Sequence, residues 1–264
     1  MSDYFGAYLA QGTAFAAMLR GAECTLLERA APFTPPVLDL GCGDGFFSSL
    51  LGRPGSFLGL DPDFTVLRRA GQTGIYSSLA CASATALPFA SSSFGTVIAN
   101  SVLEHIPDLD TALREIQRVL KPGGRLLITA PNHRFAALLA GAHHCRRAGL
   151  NRLAGLYGRW FNWHSSHFHT DDAATWTARL RAAGLVVGNW HYYFPAPAMR
   201  AFDRAHYLSL PRLLSRKLTG SWVVAPRLSL NPLYARFWRR WADPSPVDDG
   251  GCVFLDARKE IAVV

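Results

Sequence analysis

Between Val37 and Ile128, short apolar runs alternate with stretches in which apolar residues recur at helical spacing. This alternation is typical of βαβ units that build a parallel sheet. The apolar runs predict strands at 37–40, 57–60, 75–80, 96–100 and 125–130. The helical stretches predict helices at about 45–52, 63–71 and 109–119, with a short turn after Asn100. The carboxyl ends of these strands are where such sheets bind ligands.

The two flanks of this region extend the same pattern. The first 30 residues carry apolar positions at helical spacing and predict one or two helices, which Pro32, Pro35 and Pro36 end. A capped helix is expected over 173–183, after Asp172 and before Gly184. Strands are expected at 184–194 and 251–259, and the segment 195–249 between them predicts an insertion with helices around 196–208, 210–218 and 231–241.

A glycine-rich turn follows the first predicted strand. The apolar run that starts at Val37 stops at Gly41, Gly43 and Gly45, where the backbone can adopt dihedrals that side chains forbid. Helical spacing resumes directly afterwards, so the turn leads into a helix N-terminus, which favours a negative group. Asp61 lies about twenty residues beyond Gly41, the offset at which an acidic residue meets ribose hydroxyls in such folds.

At these residues the chain resembles the class I S-adenosylmethionine-dependent methyltransferases. The glycines form a G-x-G-x-G pattern, which differs from a dinucleotide fingerprint, and the family's later motifs follow in order at 86–89, 97–106 and 120–128. The resemblance covers roughly residues 20–190 and the end of the chain. It implies a Rossmann-like, doubly wound α/β fold whose seven-stranded sheet is mostly parallel, with an antiparallel last strand. In the family the last two strands form a hairpin; here a long segment separates them, so 195–249 is expected to be a helical insertion before the last strand. We expect a single domain over 1–264, because open α/β domains often reach this length.

The resemblance also implies the cofactor S-adenosylmethionine and a set of residues that hold it. These are Asp39, Gly41, Cys42, Gly43, Gly45, Asp61, Pro62, Ser83, Ala84, Asn100 and Ser101. Ser83 stands where the family usually has an aspartate that accepts a hydrogen bond from the adenine amino group. A serine hydroxyl can accept the same bond more weakly; alternatively, the Ala84 backbone N–H and apolar side chains recognise adenine without it.

His105 follows the fourth predicted strand, where the family's chain passes closest to the transferable methyl group. A histidine there can take a proton from an acceptor hydroxyl, because its pKa lies near neutrality. The alternative is that His105 only packs or caps this turn. We expect methyl transfer to a small-molecule, glycan or lipid-linked acceptor.

Two other functions stay open. Methylation of RNA or DNA is favoured by the net charge of +8 and a pI near 9.6, but Asn100-Ser101-Val102-Leu103 stands where amino-methyltransferases carry an Asn-Pro-Pro-Tyr-type tetrad. Nucleic acid is therefore the less favoured substrate. The chain could also be a non-catalytic subunit that binds S-adenosylmethionine and helps a partner enzyme.

Cysteine and histidine usage bears on metals and on the compartment. The five cysteines are scattered without a C-x-x-C pair, so neither a disulfide framework nor a cysteine zinc site is indicated, and a reducing cytoplasm is expected. His164, His167 and His169 have no carboxylate or cysteine at a recognised spacing before Asp171, so no metal site is expected. The chain shows no basic-then-apolar leader, and its apolar clusters are too short for a membrane span.

The insertion concentrates the positive charge of the chain. Residues 190–241 hold nine Lys or Arg against the single acid Asp203, and they also hold eleven aromatic residues. Interfacial helices on anionic lipid combine basic and aromatic residues in this way. The sequence leaves open a lid over the acceptor side of the sheet and a peripheral contact with an anionic membrane, and the two do not exclude each other.

Overall fold

The computed structural model describes residues 2–53, 55–209 and 232–261. Seven strands form one sheet in the order β3-β2-β1-β4-β5-β7-β6. Their bounds are β1 Val37–Leu40, β2 Phe57–Asp61, β3 Tyr76–Cys81, β4 Phe94–Asn100, β5 Leu120–Pro131, β6 Leu185–Pro195 and β7 Gly250–Lys259. Strands β1 to β5 pair in parallel, and β7 pairs antiparallel with β5. The predicted mostly parallel, seven-stranded sheet with an antiparallel last strand is confirmed.

The helices lie where the sequence pattern places them, with exceptions given below. They are α1 Tyr4–Gln11, α2 Ala14–Ala30, α3 Phe46–Ser49, α4 Phe64–Ala70, α5 Leu109–Val119, α6 Phe135–Leu138, α7 Ala140–Arg147, α8 Asn151–His164, α9 Ala173–Ala182, α10 Ala196–Leu208 and α11 Pro232–Arg239. A 3-10 turn, Leu103–His105, forms the short turn expected after Asn100. The helix predicted at 210–218 lies outside the described residues. Among the helices that are described, none is long and apolar enough to cross a membrane.

The contacts of the chain divide it into two compact units. The first, called the sheet unit below, consists of Leu27–His133, Ser165–His191 and Cys252–Val264. The second, the helical unit, consists of Met1–Leu26, Arg134–His164 and Tyr192–Gly251. The described residues of the insertion, 195–209 and 232–249, therefore cluster with the N-terminal helices and with α6, α7 and α8. The expected single domain over 1–264 stays a prediction.

Helix α5 fixes one loop of the sheet unit. Its apolar residues recur three and four positions apart and are buried, and Asp108 caps its N-terminus by accepting from the Thr111 N–H at 3.2 Å. On the same helix Glu115 accepts from the Leu87 N–H at 2.8 Å, and Arg118 donates to the carbonyls of Leu87 and Phe89 at 3.0 and 2.7 Å. An ion pair of 2.7 Å joins Glu115 to Arg118. These bonds hold the loop that follows Ser83 and Ala84.

Two local departures from the predicted elements have clear causes. Helix α3 ends at Ser49 rather than near residue 52, because the next N–H groups, those of Leu50 and Leu51, bond to carbonyls three residues back instead of four. The helices α6, α7 and α8 were not predicted, since residues 131–169 were interpreted through their many histidines and arginines. Helix α8 nevertheless buries Ala154, Gly158 and Phe161 at helical spacing.

Candidate functional site

The turn after β1 contains three glycines in backbone conformations that other residues rarely adopt. Gly41, Gly43 and Gly45 have φ angles of 69°, 55° and 76°, in the left-handed region. A Cβ on Gly41 would also lie 2.5 Å from a methyl of Val102. The N–H groups of Gly41 and Cys42 donate to the Leu60 carbonyl at 2.7 and 3.0 Å, which ties the turn to β2. At the carboxyl edge of the sheet, the three glycines of this turn therefore present backbone atoms without side chains.

A cleft of about 410 Å³ opens at this edge. Its walls come from the carboxyl ends of β1 and β2 and from the loops after β3 and β4. The lining residues are Leu40, Gly41, Leu60, Asp61, Pro62, Ser83, Ala84, Ser101, Val102, His105, Ile106 and Pro107. Seven of the residues singled out from the sequence are among them: Gly41, Asp61, Pro62, Ser83, Ala84, Ser101 and His105. Asp39, Cys42, Gly43, Gly45 and Asn100 do not line the cleft.

Asp61 stands at the end of β2 with both carboxylate oxygens engaged. Its Oδ2 accepts from the Gly43 N–H at 3.0 Å and its Oδ1 from the Asp63 N–H at 2.9 Å. A carboxylate has about four acceptor positions, so each oxygen keeps capacity for a further donor. The carboxylate is thus oriented by the backbone while it lines the cleft.

Asp39 lies inside the sheet unit and supports the glycine turn from within. The residue is only 4% exposed, and its Oδ2 accepts from the Ser48 hydroxyl and from the Tyr76 hydroxyl, both at 2.6 Å. Burial raises the pKa of Asp39 to about 6, and the two hydrogen bonds oppose that rise. Burial also raises the pKa of the neighbouring Cys42 thiol above its usual range, which keeps this thiol protonated.

Two loops complete the walls of the cleft. Ser83 is exposed; its hydroxyl shares a hydrogen bond of 2.7 Å with the Thr85 hydroxyl and accepts from the Thr85 N–H at 3.2 Å. Ser101 has a φ of 51°, unusual for a residue other than glycine, and its N–H donates to the Thr129 carbonyl at 2.9 Å. The Thr129 hydroxyl donates to Asn100 Oδ1 at 2.8 Å. Asn100 therefore braces β4 against β5, and the strained Ser101 faces the cleft.

His105 belongs to a cluster that the sequence did not predict. Its Nδ1 lies 3.0 Å from the Ser166 carbonyl, its Nε2 lies 3.6 Å from Glu104 Oε1, and its ring centroid is 5.4 Å from that of His167. Burial, with a smaller contribution from the charge of His105, lowers the pKa of His167 to about 4, so this imidazole is neutral at physiological pH. The sequence places His167 near His164 and His169, where no metal site is expected, and no spacing connects it to Glu104 or His105.

The resemblance stated from the motifs agrees with known proteins. A family model described as a methyltransferase domain matches residues 38–128. An uncharacterized methyltransferase of Mycobacterium sp. (strain KMS) is 29% identical over 195 residues, which cover 67% of this chain and 77% of that protein. The 2-phytyl-1,4-naphtoquinone methyltransferase of Synechococcus elongatus is 35% identical over 113 residues, which cover 39% of this chain and 48% of that protein.

The fold has counterparts among solved structures as well. The cyclase SpnF superposes with a TM-score of 0.60 at 20% identity, over 92% of this chain and 82% of that chain. At this identity the likeness establishes the fold alone. The matched domain, the methyltransferase relatives, the glycine turn and the strand order together support the resemblance to the class I S-adenosylmethionine-dependent methyltransferases.

Proposed function

We propose that this protein binds S-adenosylmethionine in the cleft at the carboxyl edge of the sheet and transfers its methyl group to a hydroxyl oxygen of an apolar or lipid-linked small molecule. One observation carries the proposal: Asp61 and His105 line the same cleft of about 410 Å³. The Asp61 carboxylate is oriented and can accept hydrogen bonds from ribose hydroxyls, and the His105 imidazole can accept a proton.

Each part of the cofactor has a suitable partner in the cleft. The Asp61 carboxylate accepts from the two ribose hydroxyls, while Pro62, Ser83 and Ala84 surround the adenine. The bare backbone at Gly41 allows the amino-acid part to approach closely. Ser101 and His105 also line the cleft and would be available to the methyl group and the acceptor.

The protein forms no covalent bond to either reactant in this reaction. An acceptor oxygen forms a bond to the methyl carbon as the carbon–sulfur bond breaks, and the cofactor leaves as S-adenosylhomocysteine. The acceptor hydroxyl must give up its proton, and we propose that His105 takes it. The Ser166 carbonyl can only accept, so Nδ1 of His105 carries the hydrogen and Nε2 the lone pair of the neutral ring. Alignment of the two reactants supplies the rest of the acceleration.

The surface of the helical unit supports an apolar acceptor. Helix α8 exposes Leu153, Leu156, Trp160 and Trp163, and Trp163 is 77% exposed. Helix α11 exposes Leu233 and Phe237, and the guanidinium of Arg240 lies 4.4 Å from the Phe237 ring centroid. Large exposed apolar side chains beside arginines are typical of surfaces that contact lipid. A relative whose name gives 2-phytyl-1,4-naphtoquinone as its substrate also favours this acceptor class. We therefore propose peripheral contact with anionic membrane as the route by which the acceptor is reached.

Turnover measured with the purified protein tests this function. The protein is incubated with S-adenosylmethionine and a panel of hydroxylated acceptors, namely soluble phenols, prenylated quinols and polyprenyl-linked sugars in micelles. We expect S-adenosylhomocysteine to form only with acceptors that carry an apolar chain, and Asp61→Ala to lower the rate. Tight binding of S-adenosylhomocysteine without turnover on any acceptor would instead favour a non-catalytic cofactor-binding subunit.

A further inference from the structure

Three side chains that can ligate a metal meet at one edge of the cofactor cleft. They are Glu104, His105 and His167, and one ligand atom from each lies within 4.8 Å of the other two. Glu104 and His105 belong to the 3-10 turn after β4, whereas His167 lies in the segment between α8 and α9. A search for metal ligands at short sequence spacing would find only Glu104 and His105, because His167 lies far from them in the sequence.

The backbone holds the two segments together. The Glu104 carbonyl accepts from the N–H groups of Phe168 and His169, at 2.8 and 3.3 Å. The His169 ring nitrogen Nε2 lies 3.1 Å from the Ile106 carbonyl, which adds a second connection. On the other side of His167 in the chain, the Ser166 carbonyl lies 3.0 Å from His105 Nδ1. Contacts on both sides therefore hold His167 beside His105 without any ligand.

The orientation of His105 matches that of a metal-binding histidine. Ligating histidines commonly donate their other ring N–H to a backbone carbonyl, which fixes the tautomer. The Ser166 carbonyl, 3.0 Å from Nδ1, fills that role here. Nε2 then carries the lone pair and lies 3.6 Å from Glu104 Oε1, too far for a good hydrogen bond. Two ligand atoms of one tetrahedral zinc ion are about 3.4 Å apart when the bonds are about 2.0–2.1 Å long. The distance of 3.6 Å between Nε2 and Oε1 therefore suits two ligands of one ion.

Glu104 brings a buried carboxylate to the cluster. This residue is 1% exposed, and a buried carboxylate is costly unless it is paired or coordinates a metal. One carboxylate with two imidazoles is a ligand set that suits zinc and similar divalent ions, and it leaves a coordination position for water or a substrate oxygen.

We propose that Glu104, His105 and His167 form a binding site for a divalent transition-metal ion, with Zn²⁺ as the reference ion. Since His105 also lines the cofactor cleft, the ion faces the acceptor side. This part rests on the proposed function: a bound ion would lower the pKa of an acceptor hydroxyl, so that its proton could leave to water. With the ion bound, Nε2 of His105 would be a ligand, and this role would replace the role of base proposed above.

Metal binding by the full-length chain tests the site without recourse to activity. Protein stripped with a chelator is dialysed against buffered Zn²⁺, and bound zinc is counted; Co²⁺ is added separately and its visible absorption recorded. We expect one zinc per chain, a tetrahedral Co²⁺ spectrum, and at least a tenfold weaker affinity in His167→Ala and in Glu104→Gln. His164→Ala is the matched control, because that histidine is exposed on α8 and stacks on Trp160 at 5.4 Å, outside the cluster.

Titration of the same samples with S-adenosylhomocysteine separates the possible failures. A His167→Ala protein that binds the nucleoside normally is folded, so its zinc loss reports on the site. Equal zinc affinity in wild type, His167→Ala and His164→Ala would overturn the metal site and leave Glu104 and His105 only as neighbouring side chains, 3.6 Å apart. Zinc binding without nucleoside binding would uphold the metal site and overturn the proposed cofactor cleft.

Discussion

Asp61 is oriented before any ligand binds, because the N–H groups of Gly43 and Asp63 each donate to one of its carboxylate oxygens. A ribose that adds two hydrogen bonds to this carboxylate gains charge-assisted bonds at little cost in ordering. We predict that Asp61→Ala weakens S-adenosylhomocysteine binding by about 2–3 kcal/mol, or roughly 30- to 150-fold in Kd. Titration calorimetry measures this change. Asp248→Ala, which removes an exposed carboxylate outside the cleft, is the control, and a change below threefold in Asp61→Ala would contradict the seating of the ribose.

In the two proposals above, His105 uses its Nε2 lone pair either as a base or as a metal ligand. We predict that His105→Ala lowers turnover by about 10²-fold or more and changes the Kd for S-adenosylhomocysteine little. Single-turnover rates, normalised to the folded fraction, give the measurement. Unchanged turnover per folded molecule would reduce His105 to a packing residue, and the zinc content of the same samples distinguishes the two chemical roles.

Asp39 makes the stability of the sheet unit depend on pH. Its folded-state pKa of about 6 lies above the unfolded value, because burial disfavours the carboxylate. Its contribution to stability is therefore fully present below about pH 4 and is lost as the pH rises through about 6. The loss amounts to about 3 kcal/mol, since one pKa unit corresponds to about 1.4 kcal/mol.

We predict that Asp39→Asn lacks this loss. Both hydrogen bonds to Asp39 end on Oδ2, and an asparagine oxygen in the same place can accept both. The difference in unfolding free energy between Asp39→Asn and wild type should grow by about 3 kcal/mol between pH 4 and pH 7 in favour of the variant. Urea unfolding at each pH measures it. A difference that stays constant with pH would mean that Asp39 ionises at its ordinary value.

The residues of the site differ in how far the sequence could predict them. Gly41 and Asp61 follow buried strands directly, so their place at the sheet edge follows from local pattern. Ser101 needs its positive φ to reach the cleft, and that angle depends on the bond to the Thr129 carbonyl, in the neighbouring strand. His167 meets His105 only through backbone bonds between distant segments, and no periodicity or spacing encodes that pairing.

Among the elements, the strands were the most predictable and the helices after β5 the least. Buried parallel strands read as short apolar runs between turns, so β1, β2 and β4 were found nearly to the residue. Helix α8 mixes a buried stripe with exposed leucines and tryptophans, so its apolar residues do not fall on one face. A pattern that assumes a polar outer face fails for such a helix.

Helix α10 is joined to the other helices of the helical unit through a buried acid, Asp203. Asp203 is buried, and it accepts from the Gly141 N–H at 2.9 Å and from the Tyr157 hydroxyl at 2.6 Å. The Tyr157 hydroxyl also lies 2.8 Å from that of Tyr207. Burial and the neighbouring carboxylate raise the pKa of Tyr157, so this phenol stays a donor.

We predict that Asp203→Ala destabilises the protein by about 2–4 kcal/mol, because a half-buried N–H and a half-buried phenol each lose a charged acceptor. Thermal unfolding followed by circular dichroism measures the loss. Arg204→Ala, on the same helix but exposed, should change stability by less than about 0.5 kcal/mol. Equal effects of the two substitutions would mean that α10 is not fixed through Asp203.

At the scale of the whole molecule, the positive charge is concentrated in one part of the sequence. The net charge of the chain is +8, and residues 190–241 alone carry nine basic residues against Asp203. Arg152 and Arg159 of α8, in the same helical unit, add exposed charge beside exposed leucines and tryptophans. Each basic residue near an anionic surface contributes about 1 kcal/mol, and this attraction fades as the Debye length falls from about 10 Å at 0.1 M salt to about 3 Å at 1 M.

We predict that the protein sediments with vesicles rich in phosphatidylserine at low salt, much less at 1 M salt, and not with neutral vesicles. Arg152→Ala with Arg159→Ala removes two charges and should lower the partition coefficient by roughly 30-fold. The matched control is Arg68→Ala with Arg69→Ala on α4, which removes the same charge from exposed positions of the sheet unit. Equal losses in the two double variants would show that net charge alone drives binding, without a defined face. Protein that remains in the supernatant with anionic vesicles at low salt would contradict membrane contact and leave the insertion as a lid for a soluble acceptor.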